Sequence, residues 1–190
     1  MAIKVFIDQG HNPQGFNAGA EGNGLREQDI NYEVGKILYD LLMADGRFEA
    51  RLSRPTPETV LGTSNSTSLQ ARVNAANAWG ADYFISIHCN ASTNPDANGS
   101  EVYVYRDSGA AYELANDVLD EIVEQVGTKN NGVRVNSSLY VLRRTQMPAI
   151  LVELAYITNA GDAEKLKNMQ SEFANGIYYG LLDYLNLERN

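Results

Sequence analysis

Short unbroken apolar runs alternate along this chain with longer segments whose apolar positions recur every third or fourth residue. The runs Ile3–Asp8, Phe48–Ser53, Asp82–His88, Glu101–Tyr105 and Ala149–Leu154 read as strands, with a further short one around Leu139–Leu142. In Glu27–Met43 the stripe Ile30, Val34, Ile37, Leu38, Leu41 and Leu42 has helical spacing. Further helices are expected over Ser68–Trp79, Ala110–Val126, Asp162–Met169 and Ser171–Leu185. Gly46, Gly80 and Gly127 stand near helix ends. Strands alternating with helices predict an α/β fold: a single domain over 1–190, built on a twisted, mostly parallel (mixed) sheet with helices on both faces. Glu101–Tyr105 follows the preceding strand without a helix between them, so it is expected antiparallel, at an edge. In open α/β sheets ligands sit beyond the carboxyl ends of the strands, and polar residues there come first as candidates.

Length and composition narrow the picture without adding chemistry. The 190 residues suit one sizeable domain, and 44% of them are hydrophobic. No stretch approaches the roughly 18 apolar residues of a membrane span, so no membrane partner is expected. The Met-Ala-Ile-Lys start runs straight into a strand without the pattern of an export signal. The net charge of −9 repels phosphate backbones and argues against nucleic acid as a partner. A single cysteine, Cys89, excludes an internal disulfide. Only two histidines exist, so a metal site with two imidazoles must use both.

Those two, His11 and His88, each follow or close a strand-like run. On a parallel sheet both imidazoles reach one edge, which makes a shared metal site as reasonable as two structural histidines. Zinc also takes carboxylates. Glu27 lies three residues before Ile30 and seven before Val34, on the stripe that faces the sheet, where a carboxylate is costly without a partner. The alternative is a glutamate that complements the helix dipole. Cys89 is a rival ligand, but strand alternation turns it away from His88 into the helix layer. Glu153 interrupts the apolar run Ala149–Leu154. Burial raises a carboxyl pKa and a nearby cation lowers it, so a residue held between the two can accept and donate a proton near neutral pH. A buried ion pair with Arg143, Arg144 or another base is the structural alternative. Gly19, Gly22 and Gly24 form no phosphate-binding motif, and no H-E-x-x-H is present.

Four segments together resemble the zinc-dependent N-acetylmuramoyl-L-alanine amidases of the amidase-3 family over nearly the whole chain. Ile7-Asp8-Gln9-Gly10-His11 is similar to the block with the first zinc histidine. Glu27 in Leu25–Asn31 matches the second ligand. Ser86-Ile87-His88-Cys89-Asn90-Ala91 resembles the block with the third. Met147–Glu153 resembles the block carrying the catalytic glutamate. Ser53-Arg54, Arg72 and Ala75–Asn77 also resemble the family's surroundings of the site. Gln9 stands in place of a proline, Asn12 in place of a glycine and Cys89 in place of an alanine, and the first two bear on the loop around His11.

The resemblance implies one Zn2+ on His11, Glu27 and His88, with Glu153 as catalytic acid–base. The implied substrate is peptidoglycan, cut between the lactyl group of N-acetylmuramic acid and L-alanine of the stem peptide. A monomer without a separate wall-binding module is expected. It would act on the bacterial wall as a phage endolysin, a sporulation or lysis enzyme, or a domain of an exported protein. The rivals are a zinc peptidase acting on another wall bond and an inactive peptidoglycan-binding module. A glycosidase using Glu27 and Glu153 leaves both histidines unexplained. Tyr103, Tyr105, Tyr140 and Tyr156 are candidate groove residues, and Arg143 and Arg144 candidate partners for a peptide carboxylate.

Overall fold

A computed structural model describes residues 2–189. Six strands form one sheet in the order β4-β1-β5-β8-β6-β7. Strands β1 (Ile3–Gln9), β4 (Phe48–Leu52), β5 (Tyr83–Asn90) and β8 (Ala149–Tyr156) run parallel. Strands β6 (Ser100–Val104) and β7 (Asn130–Val135) run against them. A two-stranded hairpin, β2 (Glu21–Gly22) with β3 (Leu25–Arg26), leads into the first helix.

Helices α1 (Glu27–Asp45), α3 (Ala110–Val126) and α6 (Gln170–Tyr184) bury one sheet face, in a core that includes Val34, Leu38, Ile85, Ile122, Val152 and Leu181. Helices α2 (Asn65–Trp79) and α4 (Tyr140–Arg144) cover part of the other, around Phe6, Val73, Phe84, Val141 and Leu151. Helix α5 (Ala160–Asn168) follows β8. Residues of β5 and β8 are buried on both faces, which is why those segments read as nearly unbroken apolar runs. Helix α2 begins with a reciprocal cap between Ser64 and Thr67, and Gly46, Gly80 and Gly127 end α1, α2 and α3 in the left-handed conformation. No helix among the described residues is long and apolar enough to cross a membrane.

Three expectations need correction. The segment around Leu139–Leu142 is not a strand but the single turn of α4. Val141 and Leu142 are adjacent and both buried on the α2 side, which a helical turn allows and strand alternation does not. Strand β7 was not anticipated, because its sequence Asn-Asn-Gly-Val-Arg-Val is polar and pairs on one side only. In consequence β6, antiparallel to β8 as expected, is not the edge; β7 is.

Candidate metal centre and active site

His11 lies just beyond β1 and His88 near the end of β5, so parallel pairing brings both to one edge of the sheet. Their rings meet edge to face with centroids 4.9 Å apart. Glu27, the first residue of α1, reaches between them: its Oε1 lies 3.0 Å from His11 Nε2 and 3.1 Å from His88 Nδ1. One donor atom from each of the three residues falls within 4.8 Å of the others, a group that could hold a metal ion. The N-cap residue Arg26 makes no side-chain capping bond; Glu27, in the first turn of α1 and only 4% exposed, turns its carboxylate to the two imidazoles. Burial alone would raise its pKa, but the two imidazoles facing it outweigh this and hold it well below the usual carboxylate range.

Around these three, the chain fixes orientation. His11 Nδ1 lies 3.2 Å from the Asn17 carbonyl; an Nδ1–H donating there would leave Nε2, the atom that faces Glu27, to bind a metal ion. Glu27 Oε2 accepts from the Ala20 N–H at 2.8 Å, and its Oε1 from the Cys89 N–H at 3.1 Å. A Cβ on Gly10 would collide with the His88 ring, so the β1 end can approach that imidazole only as glycine. His11 itself has φ 68°, the left-handed region that side chains avoid at a penalty of about 1–2 kcal/mol. What holds it there is Arg72, 1% exposed, whose Nη2 donates to the His11 carbonyl at 2.7 Å. Its Nη1 donates to Asp8 Oδ1 and the Gln9 carbonyl, each at 2.6 Å. Asp8, buried in β1, also accepts from Ser86 Oγ. Burial would raise its pKa, but Arg72 lowers it further.

The departures at positions 9 and 12 are absorbed. Gln9 Oε1 accepts from the Arg54 N–H at 2.9 Å and its Nε2 donates to the Arg54 carbonyl. Asn12 exchanges two hydrogen bonds with the backbone of Leu61, tying the His11 loop to the segment before α2. Cys89 points away from the imidazoles into the α1 face, with Sγ 3.5 Å from Asn31 Oδ1. Burial, followed by the charges of Glu27 and Glu153, drives its thiol pKa well up, which leaves it a core residue.

Glu153 stands on β8 in register with His88 on β5 and with Glu101 on β6, a row of three across adjacent strands. Side chains of such a row share one face. Its Oε2 is sealed from solvent without a hydrogen-bond partner, and among the described residues no cation pairs with it. The ion-pair alternative is therefore not realised: Arg143 and Arg144 are exposed in the last turn of α4. Burial, then the charges of Glu27 and Glu101, push the Glu153 pKa up to about 8. Tyr140 borders a hollow of about 130 Å³ shared by His11, His88, Leu69 and Leu151. Tyr103 donates to Glu101, while Tyr105 is an exposed residue bordering a separate hollow of about 380 Å³ with Arg106 and Arg143 at the amino end of β8. Asn17, which faces His11, and Glu101, which stands beside Glu153, were not among the residues expected from the sequence. Glu101 alone carried a signal, as a carboxylate inside a strand-like run.

Residues 5–183 match the profile of the family Amidase_3, N-acetylmuramoyl-L-alanine amidase. The N-acetylmuramoyl-L-alanine amidase CwlM of Bacillus licheniformis is 38% identical over 99% of this chain and 71% of its own length. LytC of Bacillus subtilis, also named N-acetylmuramoyl-L-alanine amidase, is 39% identical, but the match spans only 35% of that protein. Among solved structures, an N-acetylmuramoyl-L-alanine amidase from Clostridium difficile 630 superposes with a TM-score of 0.87 at 32% identity, covering 99% of each chain. With the family profile matched over residues 5–183 and a 38% identical relative covering 99% of its length, the chain belongs to the Amidase_3 family of N-acetylmuramoyl-L-alanine amidases.

Proposed function

We propose that this chain is a zinc-dependent N-acetylmuramoyl-L-alanine amidase, which hydrolyses the amide joining the lactyl group of N-acetylmuramic acid to L-alanine of the peptidoglycan stem peptide. His11, Glu27 and His88 would hold one zinc ion and Glu153 would move the proton. The observation that carries this reading is the convergence of three donor atoms beside a half-buried carboxylate, Glu153, whose Oε2 is sealed and unpartnered, toward the carboxyl ends of parallel strands.

The donor set suits zinc. Bonds of about 2.0–2.1 Å in a tetrahedron set ligand atoms about 3.3 Å apart, close to the 3.0 and 3.1 Å between the carboxylate oxygen and the two imidazole nitrogens. Two imidazoles and one carboxylate make the three-ligand set of catalytic sites, whereas closed structural sites use four. Bound zinc would polarise the scissile carbonyl and lower the pKa of water.

The protein's own residues do the rest. Glu153, one strand over from His88, takes a proton from the attacking water as its oxygen joins the lactyl carbonyl carbon. It returns that proton to the nitrogen of L-alanine as the C–N bond breaks, leaving a free amine and a carboxylate. A carboxyl whose pKa is held up by burial is suited to both halves of this transfer. The Arg72 brace keeps the strained His11 loop in place through the cycle.

The deciding experiment is mass spectrometry of purified cell walls digested by the protein. New L-alanine amino termini with uncut glycan are expected. Cleavage at another peptide bond would favour a peptidase, and no cleavage a binding module. Glu153→Ala should retain zinc and fold yet lose about 10²-fold or more in turnover; near-normal turnover would remove Glu153 from this role.

A further inference from the structure

The row that carries His88 and Glu153 continues onto β6 as Glu101, a carboxylate only 3% exposed. It accepts from Asn90 Nδ2 at 2.7 Å, from the Tyr103 hydroxyl at 2.9 Å and from Arg134 Nε at 2.5 Å. Arg134 stands on the edge strand β7, in register with Tyr103, and its side chain is 52% exposed. Among the described residues its two Nη groups have no partner. A guanidinium thus lies with one edge fixed on a buried anion and its other, forked edge open. That open edge matches a carboxylate with two parallel N–H···O bonds.

We propose that Arg134, oriented by Glu101, is the docking point for a carboxylate of the stem peptide two to three residues beyond the amide that is cut. Strand β7 lies two strand spacings, about 10 Å, from β8, and the Arg134 side chain reaches back across one of them to Glu101. Its open edge therefore lies about 5–10 Å from Glu153, a span covered by two to three extended residues at about 3.3–3.6 Å each. Across a surface of net charge −9 an acidic peptide needs such a local cation to settle. Simple neutralisation of Glu101 would require a positive charge but no fork, and a lysine would meet it.

This inference rests on the amidase reading and is tested so that the two can fail separately. Muramoyl-tetrapeptides are prepared with the carboxylates of the second and third residues free, or amidated one at a time. Wild type should show a KM at least about tenfold lower for the free form than for one of the amidated forms, with similar kcat. In Arg134→Lys, and in Glu101→Gln/Arg134→Met, which leaves no buried charge unpaired, that preference should shrink to about twofold or less. All three substrates meet the same enzyme preparation, so partial unfolding cancels from the ratio. Equal KM values in wild type, or full preference in both variants, would overturn the subsite alone. Failure of wild type to cleave any of them would sink the amidase reading and the subsite with it.

Discussion

Glu153 is where the chemistry of a single residue can be separated from its packing. Its folded pKa of about 8 lies above the ordinary glutamate value of 4.5, so between those limits the folded protein keeps a proton that the unfolded chain has released. Stability contributed by this group is therefore complete below pH 4.5 and declines as pH rises toward 8, at up to about 1.4 kcal/mol per pH unit. Chelator-treated Glu153→Gln should lack that decline, so its denaturation midpoint should exceed that of chelated wild type at pH 8 and not at pH 5. Parallel profiles would mean that the carboxyl is not held protonated. At this scale the sequence was readable: a charged residue inside an apolar strand announces a cost that something must offset. It was less readable at Arg134, because an exposed arginine in a polar segment looks like solvated surface until the buried Glu101 beneath it is seen.

Elements were legible where one face is buried and hidden where none is. Helices α1, α3 and α6 showed their apolar stripes, and β1, β5 and β8 their largely apolar runs. The edge strand β7 buries little and offers no alternation, and α4 is too short to show a helical period. The close crossing of α3 and α6 was not legible either. A Cβ on Gly180 would meet the backbone of α3, 2.6 Å from Val118 N and 2.7 Å from the Asp117 carbonyl oxygen. Backbone cannot rotate aside as a side chain can. Gly180→Ala gains about 1 kcal/mol of helix propensity, yet forcing the helices apart costs about 1–3 kcal/mol and disturbs the core behind β8. The net outcome expected is a lower melting temperature with catalysis per folded molecule preserved. An unchanged or raised melting temperature would show that α6 can slide to make room.

At the scale of the whole molecule, the candidate centre ties together parts of the chain that no local element joins. His11, Glu27 and His88 come from the end of β1, the start of α1 and the end of β5, and the Arg72 brace adds α2. Sequence spacing could place each candidate donor at an element end but not establish that the ends meet; parallel registration of β1 with β5 does that for His11 and His88. A cation bound only by the assembled fold stabilises it by mass action, by about 2.7 kcal/mol at a hundredfold excess over Kd. For a chain of this size that corresponds to a rise of about 5–10 °C in melting temperature when zinc is restored to chelated protein. His88→Ala should abolish most of the rise, since a two-ligand remnant binds far more weakly, while Glu153→Ala should keep it. A zinc-dependent rise of equal size in His88→Ala would place the ion elsewhere, and the same absence of response in wild type would leave the three donors as a hydrogen-bonded cluster.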